Sequence, residues 1–156
     1  MRVTHTAVGA RHSRRHPMEF QDNHRCFVCG KHNPDGLHLD FEPEGGSGVR
    51  TTYVIPERFQ GFAGIAHGGI LATILDECMV NTLWLRGITA VTARLEVRLR
   101  HPVGLGQRVT FHAEVRRESA LGFEVTSRAE LGDGTVVADG KALLVKVGDK
   151  AKRRLP

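Results

Sequence analysis

A histidine and two glycines, His67-Gly68-Gly69, stand nine residues before an acidic pair, Asp76-Glu77. They lie in the stretch QGFAGIAHGGILATILDECMVNTLW, Gln60 to Trp84, which reads as a glycine-rich loop running into one long helix. On a helical wheel Ile70, Leu71, Ile74, Leu75 and Cys78 gather into a core stripe. The opposite side holds Ala72, Met79, Val80 and Leu83, with Asp76 among them. A helix apolar on both sides is buried on both sides, and a carboxylate there is costly unless it is paired or neutral. Asp76 is therefore a candidate for chemistry. The plain alternative is a core helix whose acids reach out at an edge. Glu77 lies about 100° further round the wheel, near Thr73, Asn81 and Trp84.

The start of the helix offers the complement to a carboxylate. Its first N–H groups have no partner inside the helix and sit at the positive end of its dipole. Two glycines let a ligand approach that backbone closely. Such amides can hold a carbonyl oxygen that gains charge during acyl transfer, although His-Gly-Gly alone also suits an ordinary turn. From Gly68 to Asp76 is roughly 12 Å along a helix axis. A group attacking a carbonyl, or aiming water at it, must lie within about 3–3.5 Å. One chain cannot bring both groups to one substrate, whereas two antiparallel copies can. The spacing predicts a two-fold dimer with two equivalent sites.

The elements that must position this helix are strands. Leu37 to Phe41 alternates apolar and polar residues, Glu42 to Gly48 reads as a turn, and Val49 to Ile55 has strand composition. After Arg86-Gly87, the residues Ala93, Leu95, Val97 and Leu99 alternate with Arg94, Glu96, Arg98 and Arg100. Val109 to Val115, Phe123 to Leu131 and Thr135 to Val147 continue the pattern, with a hairpin turn at Gly132-Asp133-Gly134. Such strands must cover something apolar, and the buried helix is what the chain offers. The expected class is α+β, an antiparallel sheet wrapped around one helix. Thr92 falls on the polar side of its alternation.

The chain of 156 residues carries a net charge of +5. Residues 1–17 and residues 146–156 each contribute +4, which leaves −3 for the middle. The basic balance belongs to the ends, read as solvated tails at 1–17 and 148–156 around a domain at 18–147. A nucleic-acid platform needs basic residues on its folded face, so no nucleic-acid partner is expected. No apolar run of about 18 residues predicts a membrane span, and residues 1–17 lack the apolar core of a signal peptide. Three cysteines without such a signal point to a reducing compartment and a cytoplasmic location. Cys26-Phe-Val-Cys29-Gly30 suits half of a tetrahedral zinc site, with His24, His32 and His38 as further candidates. The alternative is a pair of reduced cysteines shaping a turn.

Three segments resemble the hotdog-fold acyl-CoA thioesterases of the phenylacetyl-CoA thioesterase type: GIAHGGILATILDECM, TARLEVRLRHPVGLG at Thr92 to Gly106, and CFVCGKHNPDGLHLDF at Cys26 to Phe41. The resemblance covers Cys26 to Val147. It implies a hotdog fold and acyl-CoA as substrate, with hydrolysis that requires no metal or redox cofactor. It also implies a homodimer, or a dimer of dimers. By matching position, Asp76 takes the role of nucleophile or general base, and Gly68 and Gly69 supply the oxyanion amides. His67 helps hold the thioester, and Thr92 positions water. Where many relatives carry an asparagine shortly before the His-Gly-Gly this chain has Gly61, and Gln60 beside it offers a side-chain amide that can donate to a carbonyl instead. Gln60 and Glu77 are the candidate substrate contacts. Phe62, Met79, Val80, Leu83 and Trp84 suit either an acyl pocket or core and dimer contacts. A hydratase or dehydratase would want a histidine and an acid placed for proton transfer next to the carbonyl. A non-catalytic acyl-CoA sensor would need an output element, and a dimerisation module leaves the buried carboxylate unexplained.

Overall fold

The period-two runs that follow Arg86 form four strands of one antiparallel sheet, and the apolar helix lies against it. The computed structural model describes residues 20–147; the basic ends at 1–17 and 148–156 lie outside the described residues. In chain order the elements are β1 (Glu42–Glu44), β2 (Gly48–Val54), β3 (Gln60–Phe62), β4 (Ile65–Ala66), α1 (Gly68–Trp84), β5 (Ala90–Leu99), β6 (Arg108–Ser119), β7 (Gly122–Leu131) and β8 (Val136–Lys146). Six of them form an antiparallel sheet in the order β1-β2-β6-β7-β8-β5. β3 and β4 make a separate small hairpin.

The inner face of the sheet carries Val49, Val109, Phe111, Val125, Ala129, Ala138 and Leu144, all nearly or fully buried. Leu71, Ile74, Leu75, Cys78, Met79 and Leu83 of α1 are buried with them in one core. Burying a side chain of this size stabilises by roughly 1.5–3 kcal/mol, so α1 is held by packing rather than by intrinsic propensity. The helix ends where Gly87 takes a positive φ of 72° and donates its N–H to Trp84 O at 2.9 Å. A glycine is the residue that makes such a cap without steric penalty.

The outer face is polar, as the alternation requires. Arg50 pairs with Glu42, Arg100 with Asp139, and His112 lies between Glu44 and Glu130.

Several expected boundaries move. Leu37 to Phe41 keeps its alternation, with Leu37 and Leu39 buried and His38 and Asp40 exposed, but it joins no sheet. It bonds back to the entry segment instead, Leu37 N to Phe27 O and Leu39 N to Val28 O, both at 2.9 Å. The expected turn at Glu42 to Gly48 contains β1, and the reversal narrows to the residues around Gly45. The loop after Pro56 folds into a 3-10 turn at Glu57–Phe59 and then the β3/β4 hairpin. Short elements of this kind carry no periodic signal, because two or three residues cannot display a period.

Candidate active site

α1 begins on the residue that the glycine pattern marked. His67 is its N-cap, with extended backbone, and its Nδ1 accepts the N–H of Gly69 at 2.9 Å. This satisfies one of the orphan donors at the helix start. It also makes Nδ1 the acceptor, which leaves the ring proton on Nε2 of an exposed imidazole. The hairpin before the helix places this cap: His67 N donates to Phe59 O at 2.9 Å, and Gly61 packs so closely that an added Cβ would lie 3.1 Å from His67 Cα. Gln60 shapes the same hairpin, its Oε1 accepting the Gly64 N–H at 2.7 Å.

Gly68 is the first helical residue. Among the described residues its N–H has no hydrogen-bond partner. A Cβ there would fall 2.4 Å from Leu99 Cδ1, so the Leu99 side chain at the end of β5 packs against the Gly68 Cα. Beside it is a cavity of about 270 Å3 lined by Ala66, Gly68, Leu71, Leu99, His101 and Val103, among others. A larger concavity of about 400 Å3 lies on the polar outer face of the sheet, among Glu44, His112, Arg128 and Lys141. The smaller one matters more for chemistry, since it borders a free helix-start amide and the larger one borders salt-bridged surface.

Asp76 is half-buried, and Thr92 Oγ1 donates to its Oδ1 at 2.8 Å. Simple alternation puts Thr92 on the solvent side of β5. A β-bulge between Thr92 and Arg94 inserts one extra residue, Ala93, and resets the register. Thr92 opposes Leu144, and beyond the bulge Leu95 opposes Ala142, so threonine and leucine share the inner face. Burial raises the Asp76 pKa above the ordinary aspartate value, and the Thr92 hydroxyl pulls it partly back.

The described residues do not cover every side of α1. Gly69, Thr73, Asp76, Val80 and Trp84 follow helical spacing along one stripe and are half-buried or exposed. Met79 and Leu83 have no exposed surface, so they are core rather than acyl-pocket lining. Phe62 is 85% exposed.

Glu77 faces another neighbourhood. Its Oε1 accepts from Cys26 Sγ at 3.6 Å and from Asn81 Nδ2 at 3.3 Å. Burial, followed by the hydrogen bond and charge of Glu77, pushes the Cys29 thiol pKa up. The histidines named beside the cysteines do not join them. His24 packs edge-on against His32 and pairs with Asp22, and the His38 ring bonds Asn33 O. Two participants had no distinct signal in the sequence: Asn81, one helical turn after Glu77, and Leu99, one more apolar residue in a strand.

A profile of the thioesterase superfamily matches residues 63–138. No curated protein matches the sequence. Among solved structures, a thioesterase superfamily protein superposes with a TM-score of 0.73 at 24% identity, covering 78% of this chain but 63% of its own. The Escherichia coli PaaI protein, from the phenylacetic acid degradation operon, gives 0.67 at 18% identity, covering 72% and 81%. A hypothetical thioesterase from Streptococcus pneumoniae TIGR4, solved with coenzyme A, gives 0.66 at 18% identity, covering 70% and 86%. Variants of that protein replace with alanine an aspartate and a threonine sixteen residues apart. The matching profile runs from the turn after β3 through β4, α1, β5, β6 and β7 to the start of β8, and the solved relatives share the helix-in-sheet arrangement. Residues 63–138 match the thioesterase superfamily, and the chain has the hotdog fold of these solved structures.

Proposed function

We propose that this protein hydrolyses an acyl-CoA thioester to a carboxylic acid and free CoA. The thioester carbonyl is received at the start of α1, where the Gly68 N–H is unpartnered and the dipole favours developing negative charge. Asp76 attacks the carbonyl or activates water, and Thr92 holds the carboxylate in place. The thiol of CoA leaves, and the added oxygen comes from water. The observation that carries this reading is the Thr92–Asp76 hydrogen bond at 2.8 Å on a half-buried stripe of the helix. The pneumococcal aspartate and threonine have the same separation in sequence as Asp76 and Thr92. That protein also binds coenzyme A.

The site is completed across a homodimer. Gly68 and Asp76 lie on one rigid helix, roughly 12 Å apart, so a carbonyl at Gly68 meets Asp76 of the second copy. β5 is an edge strand whose outer side is unpaired among the described residues. Leu95 and Leu99 are 41% and 56% exposed on its inner face, and Trp84 is 44% exposed at the end of the stripe. A second copy joined at this edge covers those residues and brings the two stripes together. Pairing also removes an open strand edge, which is a liability in a lone chain.

The test is thiol release from a panel of aliphatic and aromatic acyl-CoAs, with the oligomeric state measured alongside. Turnover by a dimer that collapses in Asp76→Asn supports the reading. Acyl-CoA binding with no turnover on any member of the panel overturns it in favour of a sensor.

A further inference from the structure

The hydrolytic reading leaves one cluster unused. Cys26 Sγ, Cys29 Sγ and a carboxylate oxygen of Glu77 all lie within 4.8 Å of one another, and all three residues are half-buried. We propose that Cys26, Cys29 and Glu77 bind a divalent cation of the Zn(II) class, which clips the entry segment to the central helix. This is independent of the thioesterase reading.

The Cys26–Glu77 distance fits the ion. Zinc sits about 2.3 Å from a thiolate sulfur and about 2.1 Å from a carboxylate oxygen. A tetrahedron with those bonds has a sulfur–oxygen edge of about 3.6 Å. The Cys26 Sγ to Glu77 Oε1 distance is 3.6 Å. The third ligand therefore comes from α1, fifty-one positions along the chain from Cys26, rather than from the nearby histidines.

The backbone around the cysteines is shaped for ligation. Val28 N–H donates to Cys26 Sγ at 3.3 Å, a contact that strengthens when the sulfur carries charge. Gly30 N–H donates to Cys26 O at 3.0 Å. An added Cβ at Gly30 would lie 2.4 Å from Cys26 N, so only glycine allows the chain to fold back this tightly. Asn33 Nδ2 closes the loop onto Arg25 O at 3.2 Å.

Charge points the same way. Among the described residues Glu77 makes no ion pair with any lysine, arginine or histidine; its bonding partners are a thiol and an amide. A half-buried carboxylate facing two thiols has no counter-charge, and a divalent cation supplies one. On binding, each thiol releases its proton to solvent and the two thiolates and the carboxylate take three of the four tetrahedral positions. Water takes the fourth.

The experiment uses the full chain, kept reduced with a phosphine and stripped with a chelator, then titrated with Co(II) and back-titrated with Zn(II). The expected result is one Co(II) per chain, with a thiolate-to-metal charge-transfer band and tetrahedral d–d bands that Zn(II) abolishes. Cys26→Ser should remove the charge-transfer intensity of one thiolate. Glu77→Gln should weaken apparent affinity at least tenfold. Zn(II) should raise the Tm of the native protein and not of the Cys26→Ser, Cys29→Ser double variant. Sub-stoichiometric uptake without tetrahedral bands in the native protein overturns the proposal, whether or not the variants fold. Bands unchanged in Glu77→Gln also overturn it. A Cys26–Cys29 disulfide as the resting state of the purified protein, with no metal bound before oxidation, favours a redox pair instead.

Discussion

Asp76 and Glu77 are neighbours in sequence and about 100° apart on one helix, and the structure gives them different surroundings. Asp76 looks onto the stripe of α1 that the sheet leaves uncovered, with a single hydroxyl from β5 as its partner. Glu77 looks toward the entry segment, between two cysteines and Asn81. Two acids one residue apart thus meet different elements, because a rotation of one residue changes what each one faces, and the proposals above give them different roles. Burial raises the pKa of Asp76, and the Thr92 hydrogen bond moderates that rise.

The sharpest way to break this contrast is to neutralise each acid in turn. Asp76→Asn keeps the shape and removes the proposed base or nucleophile, so kcat for thioester cleavage should fall by about 10²–10⁴-fold, read by thiol release. The same variant should be more stable than the native protein at neutral pH. A carboxyl whose pKa is raised by folding stabilises the fold below its unfolded pKa, and that contribution is lost as pH rises through the folded pKa. The Tm advantage of Asp76→Asn should therefore shrink as the pH is lowered into the carboxylate range, a trend calorimetry can follow. An equal loss of turnover in Glu77→Gln would erase the distinction between the two acids; the expected loss is less than tenfold.

A smaller effect is expected from the partner of Asp76. Thr92→Val keeps the β-branched shape and removes the hydroxyl. The hydrogen bond favours the ionised carboxylate, so its removal should move the acid limb of the pH–rate profile to higher pH and lower kcat by about tenfold, roughly 1.4 kcal/mol. An unmoved acid limb would mean that the observed bond does not tune the reacting group. The smallest expected change is at the helix start. His67→Ala removes the cap on Gly69 and should cost about 1 kcal/mol, seen as a Tm lower by a few degrees.

Much of this arrangement was readable from residues alone. The run from Ile70 to Trp84 announces one buried helix, and His67 stands where the chain turns into it. The alternating strands imply a sheet around that helix, and Arg86-Gly87 marks its end. These features are local: each depends on the periodicity or backbone freedom of a few neighbouring residues. The Thr92 contact was not local. Alternation points Thr92 at solvent, and only the bulge at Ala93 turns it toward Asp76. Gly69 was an expected oxyanion amide, yet its N–H is committed to His67 Nδ1, while Gly68 keeps its own. The Cys-x-x-Cys pair is visible in the sequence, but the acid that lies beside it, Glu77, is on α1, fifty-one residues from Cys26. By itself the sequence determined which residues bury, which turn and where the single helix begins, because those follow from side-chain period and backbone sterics. Only the tertiary structure decided which hydroxyl meets which acid, because a one-residue shift in strand register reverses a side chain and sequence distance says nothing about contact across the core.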